Sequence, residues 1–207
     1  MNLIDLLLLI ALLAVPGESP QTAQDYVSRG MQQFRENNIT ESLRDFDRAA
    51  KITPAAAPHL WQRGICHYYA KKFKLGREQF ESHQQVNPHD VENATWHFLC
   101  VAKLDGLEAA RKALIPINTA RDVRIPMAQI YQLYAGHGSE KSVLAAAEKA
   151  DSERAQMYAH LYLGLYYEVA GNAKQAQLHM KLAAAAKLRN NYMHEVAKIH
   201  LRQRDWK

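Results

Sequence analysis

The sequence predicts an all-α chain, an α-solenoid in which antiparallel helix hairpins stack one on the next. Three observations carry that prediction. The dipeptide Arg29-Gly30 returns as Arg63-Gly64, 34 residues on, and the two cysteines, Cys66 and Cys100, keep the same spacing. Within each unit a small residue stands 12 positions after the glycine slot and a bulky apolar one 16 positions after it: Ser42 and Phe46, Gly76 and Phe80, Ala110 and Leu114. Prolines close the first two units at Pro54 and Pro88. A fixed period of about 20–50 residues marks stacked repeats, each too small to bury its apolar face alone.

Residues 1–22 stand apart. Leu6 to Val15 form a run of ten apolar residues that Pro16 and Gly17 end. The run is short for a bilayer span but suits the apolar region of an export signal. The expectation is a signal peptide or uncleaved N-terminal anchor over 1–22, followed by one superhelical domain over 23–207. Removing the segment takes away Asp5 and Glu18 but no base, which raises the formal charge from +5 to +7. At 48% hydrophobic and 23% charged, the remainder can build a core. Its bases are scattered, with small clusters at Lys71, Lys72 and Lys74 and at Arg202, Arg204 and Lys207. No basic stripe or nucleic-acid module is present, so no nucleic-acid partner is expected.

The first unit runs through "YVSRGMQQF" and turns at Asn37-Asn38. The second runs through "WQRGICHYY" and turns at Lys72-Phe73. Glycine lowers helix stability by about 1 kcal/mol relative to alanine, so Gly64 signals a close helix–helix contact, with Phe80 filling the adjacent volume. The third unit departs from the pattern. Phe98 takes the glycine slot, Asp122 takes the proline slot, and Asp105-Gly106 makes the turn. "LIPINTARDVRIP" then interrupts with Pro116 and Pro126, and an irregular central pair follows, its second helix capped by Ser139. The pattern is restored in full at Gly164, Ala176 and Met180, with a turn at Gly171-Asn172. A C-terminal capping helix, with Tyr192, Met193, Val196 and Ile199 on its inner side, covers the open end of the stack. The count comes to about nine helices.

A 34-residue period with these small-residue offsets and closing prolines resembles the tetratricopeptide (TPR) repeat. "NPHDVENATWHFLCVAK" and "AHLYLGLYYEVAGNAKQAQLHMKLAAAAK", with the closing "NNYMHEVAKIHL", resemble the NlpI group of bacterial envelope TPR proteins over roughly residues 23–201. That resemblance implies an envelope adaptor that dimerises and holds proteases and cell-wall hydrolases together. No cysteine precedes Cys66, so lipid anchoring is not carried over.

Catalytic patterns are sparse. There is no glycine-rich phosphate loop, paired-carboxylate pattern or serine elbow, and no cofactor is expected. His194 and His200 lie six apart, whereas two zinc ligands on one helix face need a spacing of four. His89-Asp90 reads as a helix start, with Asp90 as cap. Cys66 and Cys100 occupy equivalent slots of neighbouring helices, about 8–10 Å apart and beyond disulfide reach. Two free, buried thiols are expected. An enzyme or metal protein using the His and Cys residues of repeats two and three is the alternative reading.

The leading reading is a non-catalytic scaffold. First helices of successive repeats line a concave face, giving partner-groove candidates Met31, Phe34, Arg35, Trp61, Ile65, Tyr68, Thr95, Lys103 and Tyr158, with Leu99, Leu161 and Glu168 nearby. Aromatics with an occasional charge suit a peptide or partner helix, and Trp61 and Tyr68 are the expected hot spots. The partner is a protein or peptide, with a homodimer as a further expectation. The compartment is the cell envelope or the outside.

Overall fold

The computed structural model describes residues 21–206, so the expected export signal lies, apart from Gln21 and Thr22, outside the described residues. Regular structure among those residues is helical throughout. Helices α1 (Ala23–Arg35) and α2 (Ile39–Ile52) pack on each other, as do α3 (Trp61–Tyr69) and α4 (Phe73–Gln84). Then come α5 (Val91–Asp105) and the short α6 (Leu107–Lys112), followed by α7 (Met127–Tyr134) and α8 (Glu140–Lys149). Helices α9 (Glu153–Val169) and α10 (Ala173–Ala184) form the most extensive pair, and α11 (Tyr192–Gln203) ends the chain. Short 3-10 turns occupy Pro54–His59 and Thr119–Arg121. Eleven α-helices are thus described, where the sequence suggested about nine. In the third unit the turn falls where the sequence placed it: Gly106, at φ 86, turns the chain and Ala110 packs α6 back onto α5.

The expected starts are present. Asp90 accepts from the Glu92 amide, and Ser139 forms a capping box with Ser142. Thr22, Asn172 and Asn191 cap α1, α10 and α11. The equivalent turn residues Asn37 and Lys71 both take left-handed backbone, at φ 67 and 58.

The 34-residue offsets become contacts. A Cβ on Gly64 would sit 2.6 Å from Phe80 Cζ, and one on Gly164 would sit 3.1 Å from the Met180 amide nitrogen. The arginines before Gly30 and Gly64 reach the second helix 16 residues on. Arg29 forks onto Asp45, and Arg63 donates to Gln79 at 3.0 Å and to Asp47 at 2.7 Å. The cysteines repeat as well. Cys66 Sγ lies 3.2 Å from Ser42 Oγ, while Cys100 Sγ packs against Gly76, each sulfur meeting the residue 24 positions earlier. Both thiols are free and buried, as expected.

The first and last of the described helices meet. Tyr192 of α11 stacks on Phe34 of α1 at 5.2 Å and takes an edge-on contact from Trp61 of α3 at 5.0 Å. Gln203 donates to Asn37 at 2.8 Å across 166 residues. Helix α11 therefore lies against the first helices of the chain as well as on α10.

Candidate functional site

That placement changes the expected groove. Phe34, Ile65, Tyr68, Thr95 and Tyr158 are buried, as are Leu99 and Leu161. Met31, Trp61 and Lys103 are half-buried and Arg35 is exposed. The sequence expectation of an open aromatic face is corrected at the five buried positions. Tyr192 of α11 covers Phe34, Tyr68 packs among Tyr69, Phe73 and Trp96, and α11 buries its own Met193, Val196, Ala197 and Ile199. An aromatic stripe in water would forfeit about 25 cal/mol for each Å² left uncovered, and α11 removes much of that exposure.

Polar groups lock the closure. Glu168 of α9 accepts from Tyr68 at 3.1 Å and lies 3.6 Å from Lys103 Nζ and 3.5 Å from His200 Nε2, with Arg204 forking onto it. Burial alone would raise its pKa, but the Arg204 and Lys103 cations hold it below the usual carboxylate value, and His200 adds to that only when protonated. Tyr69 and His200 share a hydrogen bond of 3.1 Å, and burial drives the His200 imidazole down to about 3. His200 is therefore neutral at pH 7.

Beside α11 the inner face stays accessible through a cavity of about 250 Å³, lined by Trp61, Phe80, Asn87, Asp90, Glu92, Asn93, Trp96, Arg124 and Met193. An outer cleft of about 360 Å³ adjoins it and shares Asn87, Asp90 and Arg124. Trp61 is thus the expected hot spot that still faces open space.

The wall is built by a knot of charges between the start of α5 and the loop before α7. Arg124 pairs with Asp90, Glu92 and Asp122. Asp122 also accepts from the Val91 amide at 3.1 Å, so the loop caps α5 from outside. Glu92 takes the Tyr162 hydroxyl at 2.8 Å. Burial pushes the Glu92 carboxyl up to about 7 against the opposing pull of Arg124. Burial likewise opposes the charge on Arg124, but hydrogen bonding to Asp122 and the charges of Glu92 and Asp90 hold it above its usual value. Two atoms of residues lining the cavity lack partners. The Asn93 side-chain nitrogen donates to Phe80 O and Gln84 Oε1, both at 3.1 Å, while Asn93 Oδ1 and the Trp96 indole N–H have none.

Sequence reading missed this knot, since nothing local ties Asp90 and Glu92 to Asp122 and Arg124 about 30 residues on. Its signal was the repeat itself, because Asp90 and Arg124 stand 34 residues apart.

At the His and Cys positions singled out in the sequence, the surroundings do not lower the thiol pKa values. Burial pushes Cys66 up to about 12 and raises Cys100 as well, whereas a nucleophilic thiol needs a lowered pKa. His67 is buried and lowered to about 4, and His97 Nε2 faces Glu81 at 3.4 Å. Among the described residues, no group of three His, Cys, Asp or Glu is arranged to hold a metal ion. Nor is any described helix long and apolar enough to cross a membrane. No family model matches the chain.

Proposed function

We propose that the chain is a non-catalytic adaptor of TPR type, holding a segment of a protein partner in the cleft where Trp61, Asn87, Asp90 and Arg124 meet. In this reading the helix hairpins form an α-solenoid. Helix α11 both caps the stack and fills most of its inner face, leaving the cleft as the accessible remainder. The observation that carries the reading is the cavity beside α11, with aromatic walls and unsatisfied polar atoms in its lining residues, on a scaffold whose thiols are unreactive. Concave sites with apolar walls and a few fixed polar groups are where proteins bind ligands. The apolar run in residues 1–22 and the resemblance to envelope TPR adaptors support an exported or envelope-bound protein. Self-association through the outer helix faces belongs to the same reading.

The test is site-specific photocrosslinking of the full chain. Asn87, exposed at the rim shared by cavity and cleft, is replaced by benzoylphenylalanine and irradiated in extract of the native cells. A discrete adduct at Asn87, absent from the same replacement at exposed Lys174 of α10, is expected. No adduct, or equal adducts at both positions, would contradict the reading.

A further inference from the structure

We infer that the outer face of α10 docks the protein on an anionic lipid surface. This face uses none of the residues of the Trp61 cleft and goes beyond the reading above. Burial divides α10 into two sides. Ala176, His179, Met180 and Ala183 are buried. Beyond the first residue, the exposed positions are Lys174, Leu178, Lys181, Leu182 and, at the C-cap, Ala185. At 3.6 residues per turn these five fall within an arc of about 100°, and every one is basic or apolar. Leu178 and Leu182, four residues apart, are 51% and 46% exposed.

Single exposed leucines are ordinary on a protein surface, but the repeat supplies its own comparison. Leu178 stands 14 positions after Gly164, where the first two units carry Arg44 and Glu78. Leu182 takes the slot of Arg48 and Ser82, and Lys181 takes that of Asp47 and Glu81. The hairpin therefore does not require leucine at these outer positions.

Charge sets the same region apart. From Val169 to His194 the chain has no Asp or Glu, against the four bases Lys174, Lys181, Lys187 and Arg189. Two acids reach α10 and the loop after it from neighbouring helices, and both are engaged. Glu140 of α8 takes the Tyr167 hydroxyl and lies 3.2 Å from His179 Nε2, while Glu153 of α9 accepts from the Lys187 amide. With both counted, bases still outnumber acids four to two.

Leucines set among lysines on a convex helix face suit the boundary between lipid headgroups and acyl chains. There the leucines leave water, while the lysine stems lie along apolar surface and carry their ammonium groups to anionic headgroups. A nucleic acid would meet the lysines and leave the leucines in water. An acidic protein would need a groove shaped to this helix, whereas a bilayer yields to it. Each base held near an anionic lipid surface strengthens binding about 5-fold, so a face with four bases and two leucines gives reversible attachment.

The test uses the full chain with Ala185→Cys labelled by the polarity-sensitive dye NBD, beside the same label at Glu78→Cys, an exposed outer position of α4. Cys66 and Cys100 are buried and stay unlabelled in the folded chain. With phosphatidylcholine vesicles containing phosphatidylglycerol, emission at 185 is expected to rise and to be quenched by nitroxide lipid, while emission at 78 stays flat. Vesicles of phosphatidylcholine alone should leave both labels unchanged, and added salt should reverse the rise. Residues 1–22 hold no Lys or Arg, so attachment through their apolar run favours no anionic lipid and does not imitate this pattern. Lys174→Gln with Lys181→Gln should weaken binding by about 10–30-fold, and Leu178→Ser with Leu182→Ser by about 10-fold. Thermal melts of both double variants check that the fold is retained. No rise at 185, an equal rise on neutral vesicles, an equal rise at 78, or full binding by either double variant would overturn the inference. So would binding to poly-glutamate as tight as to the anionic vesicles, which would make the partner an acidic protein. The Asn87 adduct depends on none of these results, so the partner cleft and the lipid face stand or fall separately.

Discussion

Gly64 sits in the middle of α3 because the Phe80 ring of α4 leaves no room for a methyl group. Phe80 is 1% exposed and lies against Trp96 on another side, so its ring has little freedom to retreat from a Cβ at 2.6 Å. Gly64→Ala gains about 1 kcal/mol of helix propensity and, because the Phe80 ring has little room to move, meets an overpacking penalty at the upper end of the usual range, about 2–3 kcal/mol. The expected net effect is a loss of about 1–2 kcal/mol in urea unfolding of the full chain. A neutral or more stable variant would contradict the close α3–α4 contact. The glycine and phenylalanine were legible because steric fit fixes their offset. The arginine beside each glycine was less so. Arg29 and Arg63 reach across to Asp45 and Gln79, and a surface arginine looks the same in sequence whether or not it is bonded.

Among the elements, α11 is where sequence and structure differ most. Its apolar residues Met193, Val196 and Ile199 stand at helical spacing, so an inner face was legible. Which surface that face meets was not, because helical spacing fixes which residues share a face and not what that face packs on. The closure also places an imidazole in a dry setting. His200 is fully buried against Tyr69 and Trp206, with Glu168, Lys103 and Arg204 around it. Its pKa is depressed to about 3 in the fold against about 6.5 unfolded, so the unfolded chain takes the proton first on acidification. The stability this group contributes is present above pH about 6.5 and is lost as pH falls toward 3. His67 and His160, both lowered to about 4, act in the same direction. Glu92, raised to about 7, opposes them, since its contribution is full below about 4.5 and disappears as pH rises through 7. Three histidines outweigh one glutamate between pH 6.5 and 4.5, so melting temperature should fall across that window. In His200→Phe the fall should be shallower by up to about 1.4 kcal/mol per pH unit. A flat profile in the native chain, or an unchanged slope in the variant, would contradict a neutral buried His200.

At the scale of the whole molecule, the repeat explains the pairs and α11 explains the closure. Contacts between Tyr192 and Phe34 and between Gln203 and Asn37 join the two ends of the described chain, which an open row of hairpins would keep apart. Burying the aromatic face also confines recognition to what remains accessible beside Trp61. Only part of that site was legible. Trp61 was, through its type and helical position, whereas the joining of Asp122 and Arg124 to Asp90 and Glu92 was not, because a loop brings the two pairs together across 32–34 residues. The most direct test is hydrogen exchange of the full chain, comparing amides of α11 (192–203) with those of α3 (61–69). If α11 closes the inner face, both segments should be protected to a similar degree and open together, as parts of one cooperative unit. Exchange of α11 within seconds while α3 stays protected would show a tail resting on an open groove, and would contradict the account.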